Sequence, residues 1–112
     1  MVIIEYPGFT KTITDLLSDE DYRALQSALV ENPARGDLIP GTGGLRKIRW
    51  SLEGRGKRGG ARIIHYWWVR ESRIYLILAY PKNVQDNLTP AQAKRLAEAI
   101  QREIDDGRKT VR

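Results

Sequence analysis

The sequence predicts an α+β domain, a small and mostly antiparallel sheet packed with two or three helices. Three observations carry that expectation. The apolar pattern changes period along the chain, from helical spacing between Ser18 and Glu31 to strand-like runs between Leu45 and Tyr80. A second capped helix start stands at Thr89-Pro90-Ala91-Gln92. The order is therefore strand, helices, three strands, helix, which places helices on one side of a sheet instead of alternating with parallel strands. The chain has 112 residues. That length fits one domain over residues 1–112, with 108–112 expected as a flexible basic tail.

Val2 to Tyr6 reads as the opening strand, ended by Pro7-Gly8. Phe9 to Leu17 has strand-forming Thr and Ile, but Phe9, Ile13, Leu16 and Leu17 keep helical spacing, so a weak helical turn is expected. Ser18 can cap a helix, and Asp19, Glu20 and Asp21 sit where the helix dipole favours acids. Tyr22, Leu25, Ala28 and Leu29 form its apolar stripe, and Asn32-Pro33 stops it.

Arg35 to Gly44 reads as a loop rich in Gly and Pro. Leu45 to Leu52 and Ala61 to Val69 read as strands, joined by a glycine-rich basic loop from Glu53 to Gly60. Arg70-Glu71-Ser72 is a short turn. Arg73 to Tyr80 is apolar on both faces, which predicts a central strand with at least partial cover on each side. In the last helix Ala93, Leu96, Ala97, Ile100 and Ile104 repeat at helical spacing, and Gly107 is the expected stop.

Charge narrows the function classes. Nineteen basic residues oppose fourteen acidic ones. Between Leu45 and Arg73 nine basic residues face only Glu53 and Glu71, so that segment carries +7. A field concentrated in this way favours a polyanionic partner. Cysteine is absent, which excludes disulfides, thiolate nucleophiles and cysteine metal sites. No signal peptide and no membrane span are legible, so a cytoplasmic protein without membrane contact is expected.

Gly41-Thr42-Gly43-Gly44 fails as a phosphate-binding loop, because Gly-Lys-Ser/Thr is missing and a strand follows in place of a helix. Arg55-Gly56-Lys57-Arg58-Gly59-Gly60 puts cations on a loop within reach of phosphates. Lys47 and Arg49 alternate along a strand and share one face, and Arg62 joins them if the next strand pairs as a hairpin. Three cations on one face imply either solvent exposure or an anionic partner. His65 is the only histidine, and a lone strand histidine is more often structural than catalytic. No cluster with metal-ligand spacing accompanies it, so neither a metal nor a cofactor is expected. Trp67 and Trp68 are consecutive and must face opposite sides, one under a helix and the other toward an open face.

Three stretches together resemble a known family. They are Asn32 through Arg49, Gly56 through Tyr66, and Tyr80-Pro81-Lys82-Asn83 followed by the helix capped at Leu88-Thr89. The pattern is similar to the HigB-like branch of the RelE/ParE toxin superfamily, over roughly Ser18 to Ile104 in element order. The resemblance implies a compact RelE-like sheet domain. It implies the toxin of a type II toxin–antitoxin system, a ribosome-dependent endoribonuclease that cuts mRNA and inhibits translation. The implied partners are the ribosome, mRNA and a cognate antitoxin with a helix-turn-helix DNA-binding part.

By position, Lys47 and Arg49 match the family's paired basic strand residues, Arg62 the arginine opening the next strand, and Lys82 the basic residue after the last strand. RelE carries an arginine after that lysine and a tyrosine near the start of the last helix, where this chain has Asn83 and Thr89. Two alternatives follow: Tyr80 substitutes for that tyrosine, or the chemistry rests on other groups. The expected catalytic set is thus Arg62, Lys47, Arg49, Lys82, His65 and Tyr80, with Arg46, Arg55, Lys57 and Arg58 contacting RNA or ribosome.

RNA supplies its own 2′-hydroxyl nucleophile. The protein must orient it, move its proton, hold the phosphate charge and protonate the leaving oxygen. Arg62 suits the phosphate. A lysine among other cations is a proton-transfer candidate, as are His65 and Tyr80, and the sequence does not rank them. A ParE-like gyrase poison and a non-enzymatic RNA-binding module fit the same basic strands.

Overall fold

The computed structural model describes residues 1–51 and 60–110, the last three by backbone alone. Its elements run β1 (Val2–Glu5), α1 (Pro7–Leu16), α2 (Asp19–Glu31), β2 (Asp37–Leu38), β3 (Arg46–Trp50), β4 (Ala61–Trp68), β5 (Arg73–Pro81) and α3 (Pro90–Thr110). The strands form one sheet in the order β1-β5-β4-β3-β2. β1 lies parallel to β5, and the other ladders are antiparallel. This is the small α+β domain that the periodicity predicts.

Helices cover both faces of the sheet, not one. α1 and α2 bury Phe9, Ile13, Leu25 and Leu29 against Ile48, Ile63, Ile74 and Leu76. α3 buries Ile100 and Ile104 against Ile64, Trp68, Tyr75 and Ile77 on the opposite side. The double cover explains why Arg73–Pro81 is apolar at nearly every position. It also leaves neither tryptophan on an open face. Trp67 packs into the α1/α2 core and Trp68 under α3.

Several local structures differ from the sequence expectation, each for a physical reason. α1 is a full helix and not a weak turn: Pro7 supplies the pre-set first φ, and Phe9 and Ile13 are buried on one stripe. Its Thr12 hydroxyl donates to the Ala79 carbonyl at 2.9 Å, covering β5 beyond the end of β1. The glycine-rich 35–44 segment contains the two-residue strand β2, too short for any period to register. α3 does not stop at Gly107; its backbone stays helical to Thr110. A Cβ at Gly107 would stand 2.5 Å from Trp68 Cη2, so this glycine permits close packing on the indole instead of ending the helix. Of the expected flexible tail, residues 108–110 are helical and 111–112 lie outside the described residues.

The caps behave as predicted. The Asp21 N–H donates to Ser18 Oγ at 3.1 Å, starting α2. At α3 the Gln92 N–H donates to Thr89 Oγ1 at 3.1 Å while Gln92 Oε1 accepts from the Thr89 N–H at 2.9 Å, a reciprocal capping box. That box fixes where the 82–89 connection ends, and this connection matters for the site. No helix among the described residues is long and apolar enough to cross a membrane.

Candidate functional site

The hairpin register assembles the site. Arg49 pairs directly with Arg62, and Lys47 pairs with Ile64 one step away. On the other side of β4, Arg62 pairs with Tyr80. Lys47, Arg49, Arg62 and Tyr80 therefore share the face that α3 covers, at the end of the sheet that the helix leaves to the 82–89 connection. Beyond β5, the Lys82 N–H donates to the Gly60 carbonyl at 2.9 Å. Lys82 Cδ and Arg62 Nη1 then lie 3.6 and 3.7 Å from the point a Gly60 Cβ would occupy, so Lys82 flanks Arg62.

A cation this close to a directly opposed cation needs compensation. The 82–89 connection supplies most of it. Arg62 Nε donates to Asp86 Oδ1 at 2.7 Å, and Nη2 lies 2.6 Å from the same oxygen. The Arg62 side chain is 6% exposed and that of Asp86 53% exposed, so the pair is lopsided. Lys47, itself buried, donates through Nζ to Asn87 Oδ1 and approaches the Asp86 carbonyl at 3.5 Å. The Tyr80 hydroxyl donates to the same carbonyl at 3.3 Å. Arg49 is half exposed and pairs with Asp37 at 2.9 Å.

These contacts set the proton chemistry. The Arg62 guanidinium holds the Asp86 carboxyl below its ordinary range, helped by the charges of Lys47 and Arg49. Burial pushes the Tyr80 phenol up, and Asp86 adds to that while Arg62 opposes it. Tyr80 is thus a proton donor at neutral pH and not a base. A cleft of about 360 Å³ opens beside the cluster, lined by Asp37 to Pro40, Lys47, Arg49, Asn87 and Leu88.

Two expected residues lie elsewhere. His65 points to the α1/α2 side, since it alternates with Ile64 along β4, and it is fully buried. Its Nε2 donates to the Arg35 carbonyl at 2.7 Å, and its Nδ1 is buried with no hydrogen-bond partner. Burial lowers its pKa. His65 therefore takes no place beside Arg62. Arg46 opposes His65 in the register and donates to the Gly36 carbonyl at 3.1 Å. Together they pin the 35–36 turn, so Arg46 belongs to the back of the sheet. Arg55, Lys57 and Arg58 lie outside the described residues.

Sequence patterns alone do not single out Asp86 and Asn87. The available signal was a polar pair in the connection that follows Tyr80, brought by the hairpin register to the Arg62 end of the sheet. No group of three or more His, Asp or Glu that could hold a metal ion occurs among the described residues. No family model matches the chain.

Proposed function

We propose that this chain is an endoribonuclease that cuts mRNA on the ribosome, acting as the toxin of a toxin–antitoxin pair in the cytoplasm. The observation that carries the reading is the convergence of Arg62, Lys47, Arg49, Lys82 and Tyr80 at one end of one sheet face. Its charge suits a phosphodiester, and its fixed donors suit a crowded phosphoryl transition state. The resemblance of Asn32–Arg49 and Gly56–Tyr66 to HigB-like toxins supports the same assignment.

In the proposed reaction the 2′-oxygen attacks the adjacent phosphorus, a 2′,3′-cyclic phosphate forms and the 5′-oxygen leaves. Arg62 grips the non-bridging oxygens with its planar fork. Arg49, with whichever of Lys47 and Lys82 is not the base, neutralises charge beside the phosphate. Tyr80, kept protonated by its surroundings, donates to the departing 5′-oxygen. The base is sought between Lys47 and Lys82. His65 acts only by holding the fold, because it lies across the sheet. The partners in this reading are mRNA, the ribosome and an antitoxin with a helix-turn-helix part.

The test is 5′-end mapping of cellular mRNA after brief induction of wild type and Arg62→Ala. Cuts within translated frames that vanish in the folded variant are the expected result. Growth arrest with DNA breaks and no such cuts would replace this reading with a gyrase poison. Neither arrest nor cuts would leave an RNA-binding module.

A further inference from the structure

Arg62 is almost sealed from solvent, whereas the acid that neutralises it is half exposed and sits on a connection between elements. A guanidinium at that depth requires a counter-charge, since an unpaired buried charge is strongly unfavourable. Asp86 meets that requirement in the free protein. It does so imperfectly, because Nε and Nη2 both converge on the one oxygen Oδ1. A guanidinium prefers two acceptor oxygens in parallel. Lys47 and Tyr80 are likewise held by acceptors of this connection, the Asn87 side chain and the Asp86 carbonyl. One segment thus supplies the oxygen acceptors of Arg62, Lys47 and Tyr80, and phosphate oxygens can take the place of those acceptors.

We infer that the Asp86 carboxylate is the resident occupant of a phosphodiester subsite and that a backbone phosphate of single-stranded RNA displaces it from Arg62. The identity of the ligand rests on the ribonuclease reading above; the exchange itself rests on the geometry. On displacement, the phosphate takes one oxygen to Nε and another to Nη2. Asp86 moves into solvent at little cost because it is already half exposed. The charged groups that face Asp86 are Arg62 on β4 and Lys47 and Arg49 on β3, with the Tyr80 hydroxyl on β5. When Arg62 is captured by phosphate, the carboxyl loses its main stabilising partner and its titration moves up toward the ordinary carboxylate range.

The experiment uses the full chain and a ribodinucleotide monophosphate carrying a 2′-O-methyl group on its first ribose, which binds but cannot be cut. The Asp86 carboxyl carbon is followed by NMR against pH with and without this probe, and probe affinity is measured for wild type and Asp86→Asn. The expected results are an upward move of the Asp86 titration on binding, and affinity about fivefold tighter in Asp86→Asn, the upper end for removing a half-exposed ion pair. Unchanged or weaker binding by Asp86→Asn would mean that Asp86 is a fixed positioning residue for Arg62, and the inference would fail. It would also fail if the probe bound with the Asp86 titration unmoved, or bound neither protein. Exchange without mRNA cuts on the ribosome would sink the ribonuclease reading and leave the phosphate subsite. Cuts without exchange would do the reverse.

Discussion

Gly36 is where the fold holds the basic face in register, and its replacement by alanine gives a worked test. Gly36 has φ of +100°, and a Cβ there would lie 2.7 Å from the Lys47 carbonyl oxygen and 3.0 Å from Ile48 Cγ1. The nearest obstacle is backbone in the middle of β3, which cannot rotate away. Two terms therefore add. The left-handed backbone costs an alanine about 1–2 kcal/mol, and forcing an atom into filled space costs about 1–3 kcal/mol. Alanine's smaller loss of backbone entropy returns about 0.4–1 kcal/mol. The net loss is about 2–4 kcal/mol, a large part of the 5–15 kcal/mol typical of a domain.

Gly41 is the control, with φ of +75° and nothing within 4 Å of its Cβ position. Gly41→Ala meets the backbone term alone and should lose about 1 kcal/mol. Urea unfolding followed by tryptophan fluorescence measures both. On the proposed ribonuclease reading the Gly36 substitution should also weaken mRNA cleavage, because the same turn accepts from Arg46 and leads into Asp37, the partner of Arg49. Equal stability loss in the two variants would refute the steric argument.

Two further predictions follow from the site and its underside. On the proposed reaction, Tyr80→Phe keeps the packed ring but removes the donated proton and the hydroxyl's bond to the Asp86 carbonyl, so cleavage should slow by roughly a hundredfold while the melting temperature falls by only a few degrees; full activity would remove Tyr80 from the proton path. His65 has a folded pKa below its unfolded value near 6.5, so the unfolded chain binds the extra proton first. Its contribution to stability is intact above about pH 6.5 and is lost as pH falls toward the folded value, with a slope of at most ~1.4 kcal/mol per pH unit. Urea midpoints between pH 7.5 and 5.5 should fall in wild type and change less in His65→Gln, and identical slopes would contradict the burial argument.

Much of this was legible because the governing signals are local. Ser18 and Thr89 each announce a helix start through one side chain and a following acid or amide, and both caps form as written. Lys47, Arg49 and Arg62 reach one face because strand parity and a hairpin register decide facing without any knowledge of the core. What escaped depends on partners distant in sequence. The helical cover on both faces is set by how α1 and α3 return to opposite sides of β5. Gly107 has the type and place of a helix stop, but its use comes from Trp68, thirty-nine positions earlier. β4 and β5 also shift register, since Ile64 pairs with Leu78 and His65 with Leu76, which leaves Ile77 unpaired. No alternation rule locates such a bulge.

The same division explains the site. The cations announce themselves by charge, and their counter-ions do not. Asp86 sits in a connection with no period, where its only local roles are polarity and turn formation. Its weight comes from the register, which carries Arg62 to the end of β4 and sets Tyr80 opposite it. A buried guanidinium leaning on an exposed carboxylate is a poor device for stability alone, because an apolar pair would fill that space without the desolvation penalty. The arrangement makes physical sense if the guanidinium must stay charged and fixed while its partner can leave. Both features are needed to receive an external anion, and neither is needed to close a core.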